Sequence, residues 1–95
     1  MDKTTRVAPG IDGISRLIVE DIICPTGGRS QSLTYEEYGT FYYVMSGYGI
    51  LEVDAYSYAL SPEDAVYLPP GTTHALVNTG GVDLVIVRYG APAAQ

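Results

Sequence analysis

Turn-forming residues recur along this chain about every 8 to 12 residues, a spacing typical of all-β sandwiches and barrels. Examples are Ser46-Gly-Tyr-Gly, Pro69-Pro-Gly and Asn78-Thr-Gly-Gly. No stretch of about 10 to 12 residues that is free of glycine and proline shows the apolar spacing of a helix. The crossover helices of a parallel βαβ fold therefore have no place, and the sequence predicts an all-β protein.

Short runs rich in β-branched and aromatic residues lie between these turns, and we interpret each run as a strand. The predicted strands are Ser15–Cys24, Phe41–Met45, Gly49–Asp54, Ser57–Leu60, Ala65–Leu68, Thr73–Asn78 and Leu84–Tyr89. A chain of 95 residues is long enough for one hydrophobic core and too short for a second, so we expect a single domain over residues 1–95. Residues 1–6 and 91–95 are expected to be frayed ends.

The charge balance narrows the choice of partners. Eleven acidic residues against five basic residues give a formal charge of −6, and the few cations are scattered, so nucleic acid is not an expected partner. No apolar run approaches the roughly 18 residues of a membrane span, and the polar start lacks the apolar core of a signal peptide. The lone Cys24 agrees with a reducing compartment. We therefore expect a cytoplasmic protein that does not bind membranes.

The segment Pro69-Pro-Gly-Thr-Thr-His-Ala-Leu-Val-Asn follows the pattern Pro, any residue, Gly, two residues, His, three residues, Asn. It resembles the second conserved motif of the cupin superfamily. Upstream, Phe41-Tyr-Tyr-Val-Met-Ser-Gly-Tyr-Gly resembles the strand and glycine turn that close the first cupin motif. The resemblance covers roughly residues 17–89. It implies a small cupin-type, jelly-roll-like β-barrel of about six to eight strands, with the ligand site in its interior.

The first cupin motif is where this chain departs from the family pattern. The family usually has His, any residue, His, three or four residues, Glu, six residues and Gly. Counting back from Gly47, or forward from the glycines after Cys24, gives several registers, and none of them yields a histidine. Depending on the register, the vacant ligand positions fall among Ser32, Leu33, Thr34, Tyr35, Glu36 and Thr40. Of the usual four metal ligands only His74 remains.

A tightly bound metal would need at least three ligands that converge on one point. Glu36 and Glu37 could join His74 only if both turned inward, and adjacent residues of a strand point to opposite faces. We therefore predict no cofactor. A divalent metal held by His74 and Glu36 stays the alternative, and a solvated loop is the other interpretation of the two glutamates.

His74 and Tyr42 are the candidate catalytic residues. His74 has three interpretations, as a structural hydrogen-bonding residue, a general acid or base, or a residual metal ligand. If Thr40 faces the cavity as the family's ligand does, strand alternation turns Tyr42 and Val44 inward as well. A phenol there could bind a carbonyl oxygen or donate a proton, and an aromatic wall suits a flat or apolar ligand; ordinary packing is the other interpretation.

The expected ligand-contacting residues share the cavity with this pair. Asn78 lies on the face of His74, where its amide could also hold the closing turn, and the others are Thr34, Glu36, Thr40 and Val44. With the ligand set lost and His74 retained, the first hypothesis is a small-molecule enzyme working by metal-independent acid/base chemistry. It would be an isomerase, epimerase, cyclase, dehydratase or lyase.

Two other functions stay open at this point. One is a non-catalytic module that binds or senses a small ligand, and the other is a metal-dependent cupin oxygenase with replaced ligands. The chain has nine tyrosines, and those that point outward from the sheets could form a dimer face, so a homodimer is expected. The resemblance does not name a substrate, because one fold hosts many chemistries.

Overall fold

The computed structural model describes residues 2–11 and 14–90, which form strands and connecting segments. The strands are β1 (Asp2–Ile11), β2 (Ile14–Cys24), β3 (Thr40–Ser46), β4 (Gly49–Val53), β5 (Tyr56–Leu60), β6 (Ala65–Leu68), β7 (His74–Asn78) and β8 (Leu84–Gly90). The described residues contain no helix, and hence none that could cross a membrane. The prediction of an all-β fold is confirmed.

Two antiparallel sheets make up the fold. The larger sheet has five strands in the order β1-β2-β8-β3-β6, and the smaller has three in the order β5-β4-β7. The long segment between β2 and β3 joins the smaller sheet through two isolated bridges, Arg29 to Val77 and Leu33 to His74. The sheets face each other across one core, which gives the jelly-roll-like barrel that the resemblance implied.

Strand β1 is the main difference from the predicted elements. The sequence predicts a frayed end over residues 1–6, whereas the structure places Asp2–Ile11 in a strand that pairs with β2 along nearly its whole length. Main-chain pairing needs no apolar alternation, and Pro9 is tolerated because β1 lies at the edge of its sheet. The side-chain pattern therefore gave no signal for this strand. The predicted frayed end at 91–95 lies outside the described residues.

Side-chain alternation divides β3 into an inner and an outer face, as the sequence predicts. Thr40, Tyr42 and Val44 are buried, whereas Phe41, Tyr43 and Met45 are exposed. The inner residues join a core made mostly of aliphatic side chains from both sheets: Ile22, Cys24, Tyr42, Val44, Leu51, Leu60, Leu68, Leu76, Leu84 and Ile86. Burial of this apolar surface supplies most of the driving force for folding. It also fixes which face of β3 looks inward.

The outer face of the larger sheet is aromatic. Phe41 packs against Tyr67 with their ring centroids 4.7 Å apart, and Tyr43 and Tyr89 are exposed nearby. Tyrosine suits strand positions of this kind because its ring covers the sheet while its hydroxyl stays in water. The expected homodimer stays a prediction.

Candidate functional site

Polar side chains line up across the inner face of the larger sheet. Glu20 on β2 is the cross-strand neighbour of Arg88 on β8, and Arg88 is in turn the neighbour of Tyr42 on β3. All three are buried, and Arg88 is only 4% exposed. Charged residues are seldom buried this deeply unless they are paired. This row of buried polar and charged side chains is therefore the first place in the barrel interior to look for a functional site.

His74 meets this row from the opposite sheet. It is the first residue of β7, and its Nε2 atom lies 2.7 Å from the Tyr42 hydroxyl oxygen. Its Nδ1 atom lies 2.9 Å from the main-chain oxygen of Thr72. A carbonyl oxygen can only accept a hydrogen bond, so Nδ1 carries the proton. In the neutral ring Nε2 is then an acceptor, and the Tyr42 hydroxyl donates to it.

The surroundings keep both members of this pair neutral. Burial lowers the pKa of His74. The hydrogen bond to the Thr72 carbonyl opposes this effect, and the positive charges of Arg88 and Lys3 add to it. Burial also raises the pKa of Tyr42 far above its usual range, with a further contribution from the neighbouring Tyr35 phenol. Arg88 opposes that rise, because its charge favours a phenolate. The resting state is therefore a phenol that donates to an imidazole base.

Arg88 binds several groups at once. Its Nε–H donates to Glu20 Oε1 at 3.2 Å, and its Nη1 atom lies 3.4 Å from the Thr40 hydroxyl oxygen. The centre of the Tyr35 ring lies 3.9 Å from its Cζ atom, which is a cation–π contact. We call these side chains together the inner polar cluster: Glu20, Tyr35, Thr40, Tyr42, His74 and Arg88.

Tyr35 covers the inner polar cluster on the side of the β2–β3 segment. Its main-chain oxygen accepts a hydrogen bond from Gly71 N at 2.8 Å, and its hydroxyl lies 3.5 Å from Glu20 Oε1. Its ring centroid lies 6.0 Å from that of His74. Burial raises the pKa of this phenol too. The side chain is half-buried, and it lies against Arg88 and beside His74.

A surface cleft of about 270 Å³ borders the cluster next to the smaller sheet. Its lining includes His74 together with Ser32, Asp54 and Thr73. Thr73 Oγ1 lies 2.8 Å from Thr34 Oγ1, so Thr34 sits at the rim of this cleft. Open volume of this size beside a buried imidazole gives a small molecule a place to approach.

The structure brings together only part of the predicted site. His74 and Tyr42 are in direct contact, with Thr40 bonded to the same network, while Val44 belongs to the apolar core. Thr34 and Glu36 are exposed and lie outside the inner polar cluster. Both residues lie in the segment from 25 to 39, which forms isolated bridges and no strand.

Asn78 holds a turn. Its Nδ2 atom donates to the main-chain oxygens of Cys24 and Val82, at 2.9 and 2.8 Å, and its Oδ1 atom accepts from Gly80 N. Both amide hydrogens are thus committed to the main chain. The predicted role of this amide in the closing turn is confirmed, and its predicted contact with a ligand stays a prediction.

The residues around His74 do not fit a metal ion. In the part of the chain that the structure describes, no three side chains of His, Cys, Asp or Glu lie close enough together to hold one. Both ring nitrogens of His74 already have partners, and Glu36 is exposed. A ligand set of three or four donors, as structural and catalytic metal sites require, is not assembled at this position.

Sequence reasoning missed Glu20 and Arg88 and named Tyr35 only among the vacant ligand positions of the first motif. A signal for the first two was present: Glu20 lies two residues from both Ile18 and Ile22, and Arg88 lies two residues after Ile86. Strand alternation therefore places both charges on the inner face with those apolar residues. A charge of each sign at inward positions of two strands indicates a buried pair. No comparable signal exists for Tyr35, which lies in an irregular segment.

Comparison with known proteins agrees with this fold. Residues 22–88 match the family model described as the cupin domain. An uncharacterised protein of Methanocaldococcus jannaschii is 31% identical over 82 residues, which are 84% of this chain and 63% of that protein. The chain thus spans less than two thirds of the length of this curated relative.

Solved structures show the same architecture at low sequence identity. A cupin superfamily protein of Desulfitobacterium hafniense matches with a TM-score of 0.75 and 16% identity, over 96% of this chain and 78% of that one. A predicted oxalate decarboxylase of Thermotoga maritima matches with a TM-score of 0.69 and 18% identity, over 85% and 69%. Because the family model covers most of the chain and the barrel agrees with it, this protein belongs to the cupin family.

Proposed function

We propose that the protein carries out acid/base chemistry on a small organic molecule inside the barrel, with Tyr42 and His74 as a proton relay. The hydrogen bond of 2.7 Å from the Tyr42 hydroxyl to Nε2 of a neutral His74 carries this proposal. A buried base with a pKa below its usual range is ready to accept a proton near neutral pH. A phenol in front of it lets that proton arrive from a substrate that touches only Tyr42.

The relay is proposed to act on a C–H bond next to a carbonyl group. As that bond breaks, the substrate proton moves to the Tyr42 oxygen while the proton of Tyr42 moves to His74 Nε2. The electron pair of the broken bond remains on the substrate as an enolate. The charge of Arg88, which favours negative charge at this place, stabilises it.

The return of the proton decides the outcome of the reaction. His74 gives its proton back to Tyr42, and Tyr42 gives one to the substrate. Delivery to a different carbon is an isomerisation. If the enolate instead expels a leaving group with the electron pair of its bond, the leaving group takes the returned proton, and the reaction is that of a lyase or dehydratase. In each case the atoms and electrons balance with no oxidant or reductant.

A module that binds a small ligand without changing it is the second candidate. Among the described residues, every buried side-chain nitrogen and oxygen has a hydrogen-bond partner. A fully satisfied network of this kind can also serve as a rigid wall for recognition. The two candidates differ in one observable, which is whether bound molecules lose a proton.

Deuterium exchange tests the relay without knowledge of the complete reaction. Small ketones and 2-oxo acids are incubated with the protein in D₂O, and the loss of the α-proton signal is followed by ¹H NMR. We expect the protein to accelerate exchange of at least one compound. His74→Gln and Tyr42→Phe should each slow that exchange by about 10²- to 10⁴-fold, because each breaks the relay. Tyr56→Ala, at a residue 67% exposed, should leave the rate unchanged.

The result that contradicts catalysis is equally specific. If compounds perturb the ¹⁵N signals of the single histidine in a saturable way but none exchanges its α-proton, the protein is a binding module. If no compound binds near His74, both candidates fail.

A further inference from the structure

The phenol of Tyr35 lies in the barrel interior in the position that we would expect a bound ligand to occupy. The Arg88 guanidinium lies over the Tyr35 ring, with 3.9 Å from the ring centre to Cζ, and the Tyr35 hydroxyl lies 3.5 Å from Glu20 Oε1. The same phenol interacts with the hydroxyl of Tyr42, the outer member of the proposed relay. A side chain from an irregular segment thus contacts Arg88 and Glu20 and lies close to Tyr42, the three groups that a substrate would need to contact.

We infer that Tyr35 is a placeholder for the substrate, and that the substrate is a planar phenol or a conjugated enol. Its flat face would lie on Arg88 and its hydroxyl would lie between Glu20 and Tyr42. This inference rests on the proposed function and adds the substrate class to it. An enol in this position is the tautomer of a ketone whose α-proton Tyr42 removes, so the ligand class and the relay describe one reaction.

The main chain of Tyr35 is fixed by hydrogen bonds, whereas its side chain is free to rotate away from the inner polar cluster. Its main chain is fixed by the bond from Gly71 N and by the bridge between Leu33 and His74 two residues earlier, so the backbone can stay in place. The ring is half-buried, and its hydroxyl contact of 3.5 Å is at the long limit for a hydrogen bond. Rotation about the side-chain bonds would carry the ring to solvent and uncover Arg88 and Tyr42. A ligand that replaces the ring has to make up only for the lost contacts of the ring with Arg88 and of its hydroxyl with Glu20.

Each contact predicts a feature of the ligand. The guanidinium face favours a π-system over a saturated ring. The carboxylate of Glu20 favours a hydroxyl donor over a bare hydrocarbon. Three probes of similar size separate these features: p-cresol has both, toluene lacks the hydroxyl, and 4-methylcyclohexanol lacks the π-face.

The experiment measures binding of the three probes to wild type, Tyr35→Ala, Tyr35→Phe and Tyr56→Ala, with the ¹⁵N signals of His74 as the reporter. We expect p-cresol to bind wild type, and to bind Tyr35→Ala roughly tenfold more tightly, because no ring has to be displaced. Tyr35→Phe keeps the ring and should stay within about threefold of wild type. Tyr56→Ala should equal wild type. Toluene and 4-methylcyclohexanol should bind each protein more weakly than p-cresol does.

Two results would overturn the inference in different ways. If p-cresol does not bind, or binds Tyr35→Ala no better than wild type, while ketones still exchange their α-protons, the substrate class is wrong and the relay stands. If toluene binds as well as p-cresol, the opened space is merely apolar and the hydroxyl recognition is wrong. A protein that shows neither p-cresol binding nor exchange contradicts the proposed function itself. Should Tyr35→Ala fail to fold, the comparison of the three probes on wild type still decides the ligand class.

Discussion

Replacing Arg88 by methionine is expected to lower the free energy of unfolding by about 3 kcal/mol, because the change removes the cation of a buried ion pair with Glu20. The Tyr35 ring and the Thr40 hydroxyl lose their contacts with Arg88 as well. Urea unfolding followed by far-UV circular dichroism measures the effect.

An exposed ion pair of the same chemistry is the matched control. Arg29 and Glu52 form a salt bridge at the surface, with side chains 56% and 36% exposed. Arg29→Met should therefore cost less than about 1 kcal/mol. The double variant Glu20→Leu/Arg88→Met should recover most of the stability lost with Arg88 alone, since it removes both charges. Equal effects of Arg88→Met and Arg29→Met would show that the inner pair is not desolvated.

Gly47→Ala is expected to destabilise the fold by about 3 kcal/mol. Gly47 lies in the β3–β4 turn with a φ of 89°, a conformation that residues with a Cβ rarely adopt. A Cβ atom there would also lie 2.4 Å from the main-chain oxygen of Asp83 and 2.8 Å from Leu84 Cα. Backbone strain and overpacking against the start of β8 therefore add together.

Gly81→Ala is the matched control for this change. Gly81 lies in a turn too, but its φ is not in the left-handed region, and a Cβ atom there would meet nothing within 4 Å. Its substitution should change the free energy of unfolding by less than about 1 kcal/mol, in either direction. If the two substitutions lowered the free energy of unfolding in urea by the same amount, that result would contradict the close approach of the β3–β4 turn to the start of β8.

The fold, and the inward position of both members of the central pair, could be predicted from turn chemistry, strand alternation and the family motif. Turn chemistry separated the strands, and alternation along β3 put Tyr42 on the inner face. The motif around His74 placed the histidine on the facing strand. The contact between the two residues then followed from the closure of the barrel, although they are 32 positions apart.

The rest of the inner polar cluster depends on register, which local rules do not supply. Glu20 and Arg88 are 68 positions apart and meet only because β2 pairs with β8 in one register. Tyr35 lies in a segment without strand periodicity, where counting residues from the family motif does not tell which side chain points inward. Thr34 and Glu36 lie in the same segment and are exposed, with Thr34 at the rim of the cleft beside His74. Their expected contact with a ligand stays a prediction.

The central claim is that His74 is a neutral base that accepts a hydrogen bond from Tyr42. The protein has a single histidine, so the ¹⁵N spectrum of its imidazole can be assigned without ambiguity. A pH titration of that spectrum should show the proton on Nδ1, an unprotonated Nε2 at neutral pH, and a pKa below the ordinary value of about 6.5. Tyr42→Phe should raise this pKa, because a donor that favours the neutral ring is lost. A proton on Nε2, or a wild-type pKa at or above about 6.5, would contradict the account.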